Sequence, residues 1–190
     1  MTKPPEFCLG IDPGLAGALA LLRTSDLSIV NIFDMPTLDG RVNPAELAAI
    51  VDMFCTVSGG NKNVHAAVEL VSSMPRQAGA FNFGVSAGVV HGVLGALGIP
   101  MILVPPGIWK PACGLRRGIN EKQAENKTRA RELATRLWPE RTSEFSKVKF
   151  DGRAEACLLA RYFVTKNNWR QNENTCMESS HVHPRPTRLR

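Results

Sequence analysis

The chain has 190 residues, 44% of them hydrophobic and 21% charged, with a formal net charge of +6 at neutral pH. That length supports one well-buried core and excludes two full domains, while the positive balance favours a polyanionic partner, nucleic acid ahead of a membrane surface. The five cysteines Cys8, Cys55, Cys113, Cys157 and Cys176 are odd in number, scattered and mostly set in apolar runs, which excludes a disulfide framework and reads as reduced core thiols.

Met1 to Glu6 lacks the basic and apolar regions of a signal peptide, so a cytoplasmic protein is expected. Phe7 to Ile11, Ala16 to Leu22 and Leu27 to Phe33 are apolar runs joined by short turns, the pattern of an antiparallel meander. Asn43-Pro-Ala-Glu46 supplies an N-cap, a proline at the first helical position and a glutamate at the third. It predicts a helix through about Val57. Val64 to Val71 reads as a buried strand, Ala80 to Leu97 as a helix and Met101 to Val104 as a short strand. Glu121 to Leu137 reads as a basic amphipathic helix and Arg153 to Val164 as the last helix. The weakly polar run from Gly79 to Pro105 is long enough to span a membrane. Asn82, Ser86, His91 and the Gly98-Ile-Pro100 break interrupt it, and it is read as buried in a soluble fold. Three strands followed by alternating helices and single strands predict an α/β fold, a mixed central sheet flanked by helices.

Gly84, Gly88 and Gly92 lie four apart and share one helix face. Each costs a helix about 1 kcal/mol relative to alanine, so close packing must offset them. Packing within the chain is favoured over contact with a second subunit.

Candidate chemistry lies with acids at element ends: Asp12 in Leu9-Gly-Ile-Asp-Pro-Gly14, Glu69 in Ala66-Ala-Val-Glu-Leu-Val71, and Asp151 with Glu155 in Asp-Gly-Arg-Ala-Glu155. A carboxylate closing an apolar strand is costly to desolvate unless it is paired or holds a cation. Several in one chain point to a divalent metal site built from oxygen ligands. Taken singly, each has a plainer role: Asp12 in a turn, Glu69 in a strand-end ion pair, Asp151 as an N-cap and Glu155 on a solvated helix face.

The strand-borne Gly-Ile-Asp-Pro-Gly14, the Val-Glu69 strand, Met-Pro-Arg-Gln77 before a Gly-rich helix, Val-Pro-Pro-x-x-Trp-Lys110, Lys127 in a basic helix and Asp-Gly-Arg-Ala-Glu-Ala156 together resemble the RuvC-type Holliday-junction resolvases, particularly their phage-like relatives. The similarity runs from about Phe7 to Tyr162. It implies a ribonuclease-H-like fold, a homodimer, and Mg²⁺- or Mn²⁺-dependent nicking of branched DNA, four-way junctions first and three-way or flap structures next. Such an enzyme would serve recombination, repair or phage DNA processing, in the nucleoid or in the cytoplasm of an infected cell. By the resemblance Asp12 is the first-strand aspartate, Glu69 the central-strand glutamate and Asp151 the first acid of the C-terminal helix. Two departures stand out. The founding members carry an aspartate three residues after the helix-opening acid, where this chain has Ala154, with Glu155 one step further. Positions three and four apart share a helix face, so Glu155 is the expected fourth ligand. The aromatic that probes the junction just after the central glutamate is replaced by Ser72 and Ser73. Phe81 and Phe83 are the available substitutes, read first as core residues.

Lys110, Arg116, Arg117, Lys122, Lys127, Arg129 and Arg131 cluster against Glu121 and Glu125. A solvated helix face is the common meaning of such a run, but carboxylate ligands repel DNA unless nearby cations offset them, which favours phosphate contact. Lys127 is assigned to the scissile phosphate; Lys110, Arg116, Arg117, Lys122, Arg129, Arg76 and Gln77 are assigned to DNA binding. Residues 1–165 are read as the nuclease domain and 166–190 as a basic, disordered tail, whose Cys176, His181 and His183 are too loosely spaced to read as a zinc site. Two other classes share the pattern: an actin-like or sugar-kinase-like nucleotide-binding domain, and a DNA-binding protein with a dead site. The first lacks a second phosphate-binding glycine turn, and the second is disfavoured because all the acids are present.

Overall fold

The computed structural model describes residues 5–70, 80–119 and 121–167. The strands β1 (Phe7–Asp12), β2 (Ala18–Arg23) and β3 (Ile29–Asp34) form the expected antiparallel meander. A two-residue ribbon, β4 (Thr37–Leu38) with β5 (Arg41–Val42), leads into helix α1 (Pro44–Val57). Asn43 Oδ1 accepts from the amides of Ala45 and Glu46 and caps α1, as its sequence predicts. On the other side of β1 from the meander, β6 (Val64–Glu69) runs parallel to it and β7 (Met101–Val104) runs parallel to β6. The result is one mixed five-stranded sheet in the order β3-β2-β1-β6-β7.

Both faces of the sheet are covered, so its central strands read as unbroken apolar runs. On one face Phe7, Leu9, Ile11, Leu19, Leu21, Val64, Ala66 and Val68 pack with Leu47, Val51 and Phe54 of α1, and with Val90 and Leu94 of α2 (Ala80–Ala96). The other face carries smaller groups, Cys8, Ala18, Ala20 and Ala67, against α6 (Asp151–Lys166). Gly10 permits this approach, since a Cβ there would stand 2.0 Å from the Ala156 carbonyl oxygen. At the start of α6 a Cβ on Gly152 would stand 2.4 Å from the Ala16 carbonyl oxygen. These two glycines let the last helix lie flat on β1 with its first turn against the β1–β2 turn. Arg153 fixes that end by pairing with both oxygens of Asp34, at 2.6 and 2.8 Å, and with Glu144 at 2.6 Å.

Three features depart from expectation. The last helix starts at Asp151 rather than Arg153, with Phe150 in the cap position, so Asp151 is a first-turn residue and not an N-cap. A seven-residue helix, α3 (Pro106–Ala112), follows β7; prolines at 106 and 111 disguise it as loop. It is joined to α4 (Gln123–Leu137) by residues 113–122, and α5 (Thr142–Phe145) precedes α6. Third, the glycines of α2 are not packed against the described residues: a Cβ at Gly84, Gly88, Gly92 or Gly95 meets none of their atoms within 4 Å. Cys8, Cys55 and Cys157 are buried free thiols and Cys113 is half-buried; burial pushes the thiol pKa of Cys8 and Cys157 upward. Among the described residues no helix is long and apolar enough to cross a membrane. Arg76, Gln77, Ser72 and Ser73, together with the tail from residue 168, lie outside the described residues.

Candidate active site

β1 and β6 run side by side in parallel, with Ile11 opposite Val68, so Asp12 and Glu69 close neighbouring strands at the same edge. Open α/β sheets bind ligands at this carboxyl end of parallel strands. The first turn of α6, seated on the β1–β2 turn, brings Asp151 and Glu155 to the same place. Asp12, Glu69, Asp151 and Glu155 line one cleft of about 300 Å³ with Gly14, Phe83, Lys110, Asn126 and Lys127. The sequence assigns all four acids and Lys127 to one site, and the fold brings them together.

Each acid has a distinct partner set. Asp12 Oδ1 accepts from the Gly14 amide at 3.1 Å. Glu69 Oε2 accepts from Nε1 of the fully buried Trp109 at 2.9 Å. The Lys110 ammonium lies 3.0 Å from Glu155 Oε2 and 3.7 Å from Glu69 Oε2, joining the last helix to the central strand. Asp151 is held from the other side, by Arg131 and by Lys127 Nζ at 3.5 Å. The cleft thus divides into Asp12, Glu69 and Glu155 around Lys110, and Asp151 between Arg131 and Lys127. Sequence reasoning puts Lys110 on a general DNA-binding surface and gives Arg131 no special role; both make direct contact with the acids. Lys110 sits on the disguised helix α3. Arg131 lies four residues after Lys127 and therefore on the same helix face, a signal that the sequence does contain.

Electrostatics follow from burial. Desolvation raises the Asp12 pKa to about 6, with the Glu155 charge adding to it and the Gly14 amide, Lys110 and Lys127 opposing it. Glu69 is raised to about 7, again by desolvation first; Lys110 opposes this, Glu155 and Asp12 add to it, and the Trp109 hydrogen bond opposes it. For Lys110 desolvation acts downward as the largest single effect, but Glu155, Glu69 and Asp12 outweigh it and hold the ammonium above its ordinary pKa. Buried carboxylates that raise one another's pKa bind protons or cations in preference to standing bare. Among the described residues no three acids converge tightly enough to enclose a metal as placed; Lys110, Lys127 and Arg131 carry the neutralising charge. The donor set, all carboxylate oxygen, is that of a hard divalent cation, and the Lys110 ammonium between Glu69 and Glu155 stands where positive charge is wanted.

Around the cleft, Arg116, Arg117 and Lys122 are exposed. Arg129 is committed within the protein: Nη1 donates to Glu121 Oε1 and Oε2 at 2.9 and 3.0 Å, and Nη2 to the Gly114 carbonyl at 2.9 Å. Phe81 and Phe83, expected in the core, are not core residues. Phe81 is 82% exposed, and the half-buried Phe83 lines the cleft.

No family model and no curated protein sequence matches the chain. Among solved structures, RuvC from Thermus thermophilus is similar with a TM-score of 0.57 at 14% identity, covering 85% of this chain and 96% of that one. A second, T. thermophilus RuvC in complex with a Holliday junction substrate, gives a TM-score of 0.49 at 15% identity over 84% of this chain and 95% of that one. The first likeness gives the mixed sheet and its flanking helices a ribonuclease-H-like fold, as the resemblance of the motifs implies.

Proposed function

We propose that this protein is a divalent-metal-dependent endonuclease that nicks branched DNA, four-way junctions foremost, as a RuvC-type resolvase. Within that family, the order of motifs along the chain resembles the phage-like branch most. One observation carries the reading: four carboxylates from two strand ends and one helix start line a single cleft, with Asp12 and Glu69 buried enough to have pKa values of about 6 and 7. Asp12, Glu69 and Glu155 would hold Mg²⁺ or Mn²⁺, with Asp151 as the further ligand assigned by resemblance. Bound there, the ion supplies an activated water and stabilises the leaving oxygen of phosphodiester hydrolysis.

The chain's own residues supply the rest. Lys110 and Lys127 place ammonium groups on opposite sides of the acids, where the charge of a pentavalent phosphate would gather. Trp109 orients Glu69 through its indole N–H. Arg116, Arg117 and Lys122 offer exposed cations to the DNA backbone, and Arg76 and Gln77 are proposed groove or junction contacts.

A homodimer is part of the same reading. Helix α2 contains no charged residue, yet Phe81, Gly84, Val85, Gly88, Gly92 and Gly95 are exposed along it. A helix that is apolar all round is normally buried, and a glycine ridge permits a second copy of the helix to approach closely. Two copies would bring two clefts to two strands of a junction. The test is incubation of the full chain with end-labelled four-way, three-way, flap and linear DNA, with and without Mg²⁺ or Mn²⁺. Metal-dependent nicks confined to branched substrates support the proposal; nicking of none of them refutes it.

A further inference from the structure

A second groove opens from the cleft. Pro106, Gly107, Lys110, Pro111, Leu115, Arg116, Arg117 and Asn126 line a space of about 460 Å³ that shares Lys110 and Asn126 with the catalytic cleft. The two are of opposite character: four carboxylates line the cleft, while the groove has three cations, no carboxylate, and an apolar floor of two prolines and a leucine.

The groove wall is built, not merely charged. The connection from α3 to α4 would be an ordinary surface loop, but side chains capture the carbonyls of Gly114, Leu115, Arg116 and Glu121. The buried Asn126 donates from Nδ2 to the Leu115 carbonyl at 2.9 Å. Arg129 Nη2 donates to the carbonyls of Gly114 and Arg116, at 2.9 and 3.3 Å. Glu121, gripped by Arg129 through both oxygens, accepts from the Gly118 amide at 2.8 Å, and its own carbonyl accepts from Arg117 Nε at 2.8 Å. One guanidinium thus ties the Glu121 carboxylate, through Nη1, to the carbonyls of Gly114 and Arg116, through Nη2, and its planar shape fixes orientation as well as contact. These bonds hold Arg116 and Arg117 at the groove, and Arg116 has no carboxylate partner among the described residues.

We propose that this groove is the track for the sugar-phosphate backbone of the single DNA strand that leaves the cleft, with Arg116 and Arg117 as its phosphate contacts. The Glu121–Arg129 pair is the positioning element that sets them. A positively charged groove that follows the sugar-phosphate backbone is what single-strand binding uses, and the prolines and leucine here give the sugars an apolar surface to pass over. The assignment rests on the nuclease reading, because the groove gains a ligand from what the cleft holds.

The test is a fluorescence anisotropy titration of the full chain with a labelled single strand and a labelled four-way junction, in EDTA so that nothing is cut, at salt from about 50 to 200 mM. Arg116→Ala/Arg117→Ala, both exposed, should weaken single-strand binding about tenfold. It should also lower the slope of log affinity against log salt by about 1.4, since each single-strand phosphate no longer neutralised removes about 0.7. Glu121→Gln makes the protein more positive. If the loop were only a charged surface, binding would tighten; if the pair positions the arginines, binding should weaken about threefold or more. Arg129→Lys, which keeps the charge and loses the fork, should weaken it likewise. Tighter binding by Glu121→Gln, or an unchanged slope in the double variant, overturns the track while leaving the nuclease reading standing. A parent protein that binds no DNA in EDTA overturns both.

Discussion

Replacing Lys110 with methionine tests whether the cleft is an electrostatic device or only a packed wall. Methionine keeps most of the aliphatic stem and removes the ammonium, which sits 3.0 Å from Glu155, 3.7 Å from Glu69 and 5.2 Å from the Trp109 ring centroid. The three side chains are only 10 to 21% exposed. At an effective dielectric near 20 each contact has a gross attraction of about 5 kcal/mol, largely offset by desolvation. Removing one member of such a buried group leaves a net loss of about 3–5 kcal/mol. The loss must depend on pH. Asp12 and Glu69 have folded-state pKa values raised to about 6 and 7, so their contribution to stability is fully present below their unfolded values and is lost as pH rises through about 6 and 7. Without Lys110, the main counter-charge of Glu69, that loss deepens. At pH 5 these two acids are mostly protonated in the folded state and need no cation. Urea unfolding in EDTA should therefore show Lys110→Met destabilised by about 3–5 kcal/mol at pH 8 and by distinctly less at pH 5, where the share of the loss due to Glu69 and Asp12 is gone and only the Glu155 contact at 3.0 Å is given up. Equal losses at both pH values would refute the reasoning and assign Lys110 to packing.

Asp12→Asn should abolish cleavage yet raise stability in EDTA at pH 8 by up to about 3 kcal/mol, the cost of ionising a group raised from 3.8 to about 6; a destabilised variant in urea unfolding would contradict this. Glu155→Gln should raise the Mn²⁺ concentration needed for half-saturation about tenfold in calorimetry, since an amide is a poorer ligand for a hard cation; an unchanged titration would leave Glu155 only as the partner of Lys110. Lys127→Ala should slow single-turnover cleavage of saturated junction about 100-fold, whereas a loss of affinity alone would move Lys127 to the general basic surface. A Cβ at Gly88 meets no atom of the described residues within 4 Å, and leucine is a better helix former than glycine, so Gly88→Leu should not lower the melting temperature of the single chain. Sedimentation should nonetheless find the parent dimeric and the variant monomeric; equal masses would remove α2 from the interface.

Local chemistry is what makes part of this structure legible in the sequence. Asn43 and Pro44 announce α1 because a cap and a fixed φ act within one turn. Asp12 and Glu69 stand out because a charge ending an apolar strand is costly wherever the strand lies. Less is legible where the answer depends on which faces meet. Lys110 is central to the acids, yet it lies on a seven-residue helix bounded by Pro106 and containing Pro111, which reads as loop. Arg131 and Arg129, two residues apart in one run, point to different tasks: the first to Asp151, the second to Glu121 and the loop carbonyls. Charge periodicity alone cannot assign them. The spacing of the α2 glycines suggests packing on the sheet, whereas their open surroundings show that spacing specifies a face and not what covers it.

The central claim is that Asp12, Glu69, Asp151 and Glu155 form one hydrolytic site for branched DNA. It is tested most directly by single-turnover nicking of a four-way junction labelled on each strand in turn, comparing the parent with Asp12→Asn in Mg²⁺ or Mn²⁺ and in EDTA. Paired nicks are expected from the parent only when metal is present, and none from Asp12→Asn although it binds the junction at least as tightly. Nicking in EDTA, or by Asp12→Asn at the parent's rate, would contradict the claim.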